Sequence, residues 1–152
     1  MGTAGLYCRS NEDRGFVASI AVVADGTITD ELEVSCTDSA AHAATLEELR
    51  VAASELLARR RPRGLVVWQI DPAPGGASRL RTTASAARAE GVVLAAASAL
   101  AIDVVFTQGK AIVATTSASK AREAVDELAG TLAARTEAIR RAAAAAVSQQ
   151  RD

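Results

Sequence analysis

The feature that most constrains this chain lies between residues 16 and 36. Phe16 to Ala24 is a nearly continuous apolar run rich in Val and Ile, the pattern of a strand buried on both faces. Asp25-Gly26 follows, a pair that tolerates the positive φ needed at both central positions of a tight hairpin turn. Thr27 to Cys36 then alternates. Ile28, Leu32, Val34 and Cys36 point one way, and Thr29, Glu31, Glu33 and Ser35 the other. That is a strand with one wet face, expected at the edge of a sheet. Residues 4–8 read as a short first strand, joined to the hairpin by a polar turn from Arg9 to Gly15. Three antiparallel strands are therefore expected to open the fold.

After residue 37 the period changes. Thr45-Leu46-Glu47-Glu48 has the form of a capping box, and Leu46, Leu49, Ala53, Leu56 and Leu57 follow at helical spacing. Arg59-Arg60-Arg61 closes the helix before Pro62, either as a charge cap at the negative end of the helix dipole or as a phosphate-contacting patch. Residues 65–71 are expected to form a central strand, and Asp71-Pro72-Ala73-Pro74-Gly75-Gly76 a loop. An alanine-rich helix over 82–101 carries Gly91, expected to allow close approach to the sheet. Asp103 to Thr107 reads as another buried strand, and Gln108-Gly109-Lys110 either as a turn leading into a strand over 111–116, which local propensity prefers, or as the lead into a helical turn. Ser117 or Ser119 is expected to cap a last helix running to about residue 149. Its apolar stripe is Val125, Leu128, Leu132, Ile139, Ala142 and Ala146.

This order, three strands and then helices alternating with strands, describes an α/β fold with a mixed five-stranded sheet covered on both faces. Residues 65–126 organise its second half. A chain of 152 residues suits one domain, taken as 1–132, followed by a helical extension over 133–152. The alanine run within that extension offers a surface for a second copy or another protein partner, or else a solvated tail.

Composition narrows the function. The chain is 49% hydrophobic but only 3% aromatic, so its elements should meet through small side chains. The formal charge of −1 lacks the basic surplus of a dedicated nucleic-acid binder, although a local basic face would still allow nucleic acid as a partner. Cys8 and Cys36 form no C-x-x-C and read as free thiols. His42 is the sole histidine, which excludes a His-rich metal site. The first residues lack a signal peptide's basic and apolar regions, and no apolar run reaches the ~18 residues of a membrane span. A soluble, cytoplasmic protein without a membrane partner is expected.

The element order is that of the ribonuclease-H-like fold. Within it, Arg88-Ala-Glu-Gly-Val-Val-Leu-Ala-Ala-Ala97, Asp103-Val-Val-Phe-Thr-Gln-Gly-Lys110 and Ser119-Lys120 together resemble the RuvC-type Holliday-junction resolvase family. The resemblance covers residues 64–132. It implies four carboxylates, from the first strand, the end of the central strand and a late helix, holding two divalent metals that activate water against a phosphodiester. Mg²⁺ or Mn²⁺ would then be the cofactor. This chain departs from that pattern. The first-strand position, after Gly5-Leu6, is Tyr7, and the central-strand position is Gln69. The late-helix pair remains as Glu123 and Asp126, three apart on one helical face.

Two readings follow. In the first, the domain keeps the architecture, has lost the nuclease and works by binding or self-association, with no cofactor. In the second, Asp71 replaces the missing central-strand acid, alone or joined by Glu12 or Asp13, and a Mg²⁺-dependent nuclease of structured DNA or RNA is rebuilt on Asp71, Glu123 and Asp126. Arg79, Arg81, Arg88, Lys110 and Lys120 would lie at the rim of the site in either case, as candidate phosphate contacts. A third, weaker reading makes the loop 71–81 a small-molecule sensor at the carboxyl end of the strands.

Overall fold

A computed structural model describes residues 1–11, 15–37, 39–69, 77–130, 132 and 136–150. The strands are β1 (Thr3–Ser10), β2 (Phe16–Ala24), β3 (Thr27–Cys36), β4 (Gly64–Trp68) and β5 (Asp103–Thr107). The helices are α1 (His42–Arg60), α2 (Ala77–Ala99), α3 (Gly109–Ala114), α4 (Ala121–Ala129) and α5 (Glu137–Ser148). The sheet order is β3-β2-β1-β4-β5. The first three strands pair antiparallel, and β4 and β5 add in parallel. This is the expected mixed five-stranded sheet. No described helix is long and apolar enough to cross a membrane.

Strand alternation divides the core in two. Leu6, Cys8, Phe16, Ile20, Leu65 and Val67 face a layer formed by α1 and α2. Ala21, Val23, Val66 and Trp68 face the layer of Ile112, Val125, Leu128 and α5. The β2–β3 hairpin turns as expected on Asp25 and Gly26, with φ of 50° and 72°, and β3 lies at the sheet edge. One detail of β3 differs. The register shifts between Val22 and Val23, so Asp30 pairs with Val22 while Ile28 pairs with Val23. The extra residue turns Ile28 onto the α5 face, away from Leu32, Val34 and Cys36.

Helix α1 starts three residues before the expected capping box. The Thr45 hydroxyl donates to the Ala41 carbonyl at 2.9 Å rather than accepting from Glu48, because the alanine-rich sequence from 41 to 44 has the propensity to extend the helix by a turn. At its other end Arg61 takes a left-handed conformation and its amide bonds Leu57 O. Arg59 and Arg60 both reach Asp30, at 2.8 Å each.

Four further expectations are corrected. Residues 109–114 form α3, not a strand, since the amides of Ala111 and Ile112 find the carbonyl of Gln108. β5 is an edge strand, not a buried one, with Val105 and Phe106 about half exposed. Gly91 serves no close approach, as a Cβ there would meet nothing within 4 Å. The long last helix is two helices. Lys120, not a serine, is the N-cap of α4, Gly130 ends it, and Thr136 caps α5 by accepting from the Ile139 amide at 3.2 Å. The stripe from Val125 to Ala146 is buried as expected, but around that break.

The alanine run does not protrude. Ala142 to Ala146 are fully buried, because α5 lies directly on β1 and β2. The notch that admits it is Gly5, where a Cβ would sit 1.7 Å from the Ala142 carbonyl oxygen. Small side chains on α5 and none on Gly5 let the backbones approach closely. The helical face expected to receive a second copy is spent on the chain's own sheet, and α5 belongs to the core rather than to an extension.

Candidate functional site

At the carboxyl end of β1 and β4, on the α5 face, one rung of residues crosses four strands. Trp68 pairs with Tyr7, Tyr7 with Ser19, and Ser19 with Glu33. The next rung outward is Arg9, Val17 and Ser35. The N-terminal turn of α5 lies across them. Between sheet and helix opens a cleft of about 450 Å³, lined in part by Tyr7, Arg9, Glu33, Ser35, Glu137 and Arg141.

Tyr7 lines the cleft, Trp68 is buried beside it, and a cation covers both. Tyr7 and Trp68 meet edge to face with centroids 5.6 Å apart. The Arg141 guanidinium lies 5.2 Å from the Tyr7 ring centre and 5.3 Å from that of Trp68, within the range where a cation is attracted to a ring face. Glu137, one turn earlier on α5, holds Arg141 at 3.3 Å. Glu33 is engaged elsewhere: one of its oxygens accepts from the Ser19 hydroxyl at 3.2 Å and the Thr136 hydroxyl at 2.8 Å. Thr136 thus caps its own helix and ties α5 to the edge strand β3.

Trp68, not Gln69, is therefore the central-strand neighbour of Tyr7. Gln69 is exposed past the end of β4, and its amide donates to Thr107 O at 2.7 Å. The late helix that reaches this spot is α5, and the residue it brings is Arg141. Glu123 and Asp126 sit on the exposed side of α4. Glu123 accepts from the Ser119 amide and hydroxyl at 3.4 Å, and Asp126 pairs with Arg140 at 2.7 Å. Neither lines the cleft. Asp71, Glu12 and Asp13 lie outside the described residues, as do most of the loop 71–81 and the side chains of Arg79 and Arg81. Arg88 is exposed on α2, which covers the opposite face of the sheet, while Lys110 on α3 and Lys120 before α4 are exposed on the α5 side. The structure does not gather these three into one patch with the cleft.

A pair of Mg²⁺ or Mn²⁺ ions, as the resemblance implies, does not suit this cleft, whose two carboxylates, Glu33 and Glu137, are engaged by Ser19, Thr136 and Arg141 and stand beside the cations Arg9 and Arg141. Hard divalent ions take oxygen ligands, preferably carboxylates, whereas a guanidinium is a permanent cation with no acceptor. Among the described residues, no group of three or more His, Cys, Asp or Glu side chains is placed to hold a metal.

Sequence reasoning passed over both Trp68 and Arg141. Each left a local signal. Trp68 is the only tryptophan and stands at the end of an apolar strand, and Glu137 and Arg141 have the spacing of a helical ion pair.

No protein-family model and no curated protein matches the chain. Solved structures share its fold, among them two of RuvC. Thermus thermophilus RuvC in complex with a Holliday junction substrate aligns with a TM-score of 0.79 and 18% identity, over 99% of this chain and 93% of that one. Another T. thermophilus RuvC structure aligns at 0.73 and 17%, over 99% and 94%. The mixed sheet with its final helix laid across β1 is thus the fold of the RuvC Holliday-junction resolvases.

Proposed function

We propose that this chain is a catalytically degenerate RuvC-fold domain that works by binding, with nucleic acid as its partner. The observation that carries the reading is Arg141 stacked over Tyr7 and Trp68 at the carboxyl end of β1 and β4. A two-metal hydrolysis needs a set of free carboxylates there to hold the ions, whereas Glu33 and Glu137 are both engaged and a fixed cation repels the ions. Nucleic acid is favoured as partner because a structure of the same fold carries a Holliday junction, and because Arg9 and Arg141 both line the cleft.

The test is incubation of the full-length chain with a labelled four-way DNA junction, with and without Mg²⁺ or Mn²⁺, reading cleavage on a denaturing gel and binding on a native one. Binding without cleavage is expected. Metal-dependent cleavage would sink the proposal. If that cleavage were also lost in Asp126→Asn, the rearranged nuclease built on Asp71, Glu123 and Asp126 would take its place.

A further inference from the structure

The donor set of the cleft does more than disfavour a metal. We propose that Arg141 itself supplies the site's positive charge, and that the cleft binds a nucleic-acid backbone phosphate directly through Arg141 and Arg9, without a divalent ion. The inference rests on the binding function proposed above and adds its chemistry.

Four features of the geometry support it. The Arg141 guanidinium lies over two rings, 5.2 and 5.3 Å from their centres, so its position is set before any ligand arrives. Planar guanidinium groups suit the paired oxygens of a phosphate better than a lysine ammonium does. Arg9 stands on the outer rung of the same cleft. The amino end of α5, whose dipole favours anions, opens beside them at Thr136 and Glu137. The volume of about 450 Å³ has room for a sugar-phosphate unit.

Two carboxylates also line the cleft, and they play different parts. Glu33 is turned toward two hydroxyl donors, Ser19 and Thr136. Glu137 is largely exposed and holds Arg141 at 3.3 Å, a long contact for an ion pair. It occupies the guanidinium that the phosphate needs. Glu137 is therefore an internal competitor, and a bound phosphate displaces it. This gives the proposal a sign that a general basic surface would not produce: removing the acid's charge strengthens binding.

The sole tryptophan reports on the site, since Trp68 lies under Arg141. The full-length chain is titrated with a four-way DNA junction in EDTA while Trp68 emission is followed. A saturable change is expected, and Mg²⁺ at matched ionic strength should not increase affinity. Arg141→Gln should weaken binding by about tenfold or more, the scale of a lost charge-assisted contact. Glu137→Gln should tighten it by roughly threefold, the scale of a released exposed ion pair.

Binding that needs Mg²⁺ or Mn²⁺, no binding in EDTA, or unchanged affinity in Arg141→Gln would overturn the inference. Full competition by an acidic peptide of matched charge would overturn the nucleic-acid assignment. If Arg141→Gln fails to fold, Arg9→Gln and Glu137→Gln decide, both being changes at exposed side chains. Opposite shifts support the proposal and equal affinities end it. Metal-requiring binding without cleavage would defeat this inference alone, whereas cleavage would defeat the function proposed above.

Discussion

Gly5→Ala tests the packing that creates the site. A Cβ at this position would lie 1.7 Å from the Ala142 carbonyl oxygen and 3.0 Å from the Ala146 amide nitrogen. These are backbone atoms, so no side-chain rotation relieves the clash. Restoring ordinary contact requires α5 to move off β1 by about 1.5 Å, and gaps of even ~0.5–1 Å forfeit a quarter to a half of the dispersion attraction across them. The helix buries Ile139 and Ala142 to Ala146 against the sheet, so the loss is spread along its length. Overpacking of this kind costs about 1–3 kcal/mol and sometimes more. Gly5 does not have a positive φ, so alanine there also restricts the unfolded chain, a gain of ~0.4–1 kcal/mol in the other direction. The clash should dominate, for a net loss near ~1–2 kcal/mol and a Tm lowered by roughly 2–8 °C in a domain of this size. Urea unfolding followed by far-ultraviolet circular dichroism and Trp68 emission measures it. Gly91→Ala is the internal control. It lies exposed in α2, with nothing within 4 Å of an added Cβ, and should gain ~0.5–1 kcal/mol. A Gly5→Ala protein as stable as the parent would refute the close approach of α5 to β1.

Two pH effects follow from charged groups remote from the cleft. Burial raises the Asp30 carboxyl, but the hydrogen bonds and charges of Arg60 and Arg59 outweigh it and hold the group below its ordinary range. Its stabilisation is therefore present above the ordinary carboxylate pKa of ~3.9 and lost as pH falls through the lower folded value. Asp30→Asn should cost ~1 kcal/mol at neutral pH and make the acid limb of the stability profile shallower; an unaltered limb would contradict the pairing. Glu90 carries the opposite sign, because burial pushes its carboxyl up and one of its oxygens is buried without a partner. Stability should decline as pH rises through that raised value. Glu90→Gln should be more stable than the parent at neutral pH and lose that advantage near pH ~4; an advantage independent of pH would show that the charge is not its source.

Residues 16–36 and the α1 stripe encode their structure locally. Side chains two apart share a strand face and those three or four apart share a helix face, so Phe16 to Ala24, Leu32 to Cys36 and Leu49 to Leu57 reveal their buried sides without help from the rest of the chain. Element order then restricts the topology to a few sheets, and the RuvC-like architecture was within reach. Other features depend on partners distant in sequence. The bulge that turns Ile28 over requires the register against β2. The break between α4 and α5 follows from Thr136 reaching Glu33, 103 residues away. Residues 109–114 coil rather than extend because their amides find Gln108, a choice that local propensity did not make.

The candidate site divides along the same line. Sequence alone singled out Tyr7 on the first strand, and Tyr7 lines the cleft. The residue beside it on the central strand turns on a one-residue difference, because side chains alternate and Trp68 and Gln69 face opposite ways. Register, not composition, selected Trp68. Arg141 reaches both rings because Gly5 lets α5 settle onto β1, and the meeting of Gly5 with Ala142 joins residues more than a hundred positions apart. Local pattern determined the strands and helices of this protein, since their periodicity is written in neighbouring residues. Tertiary packing alone decided that an aromatic pair and a guanidinium would meet at the carboxyl end of β1 and β4.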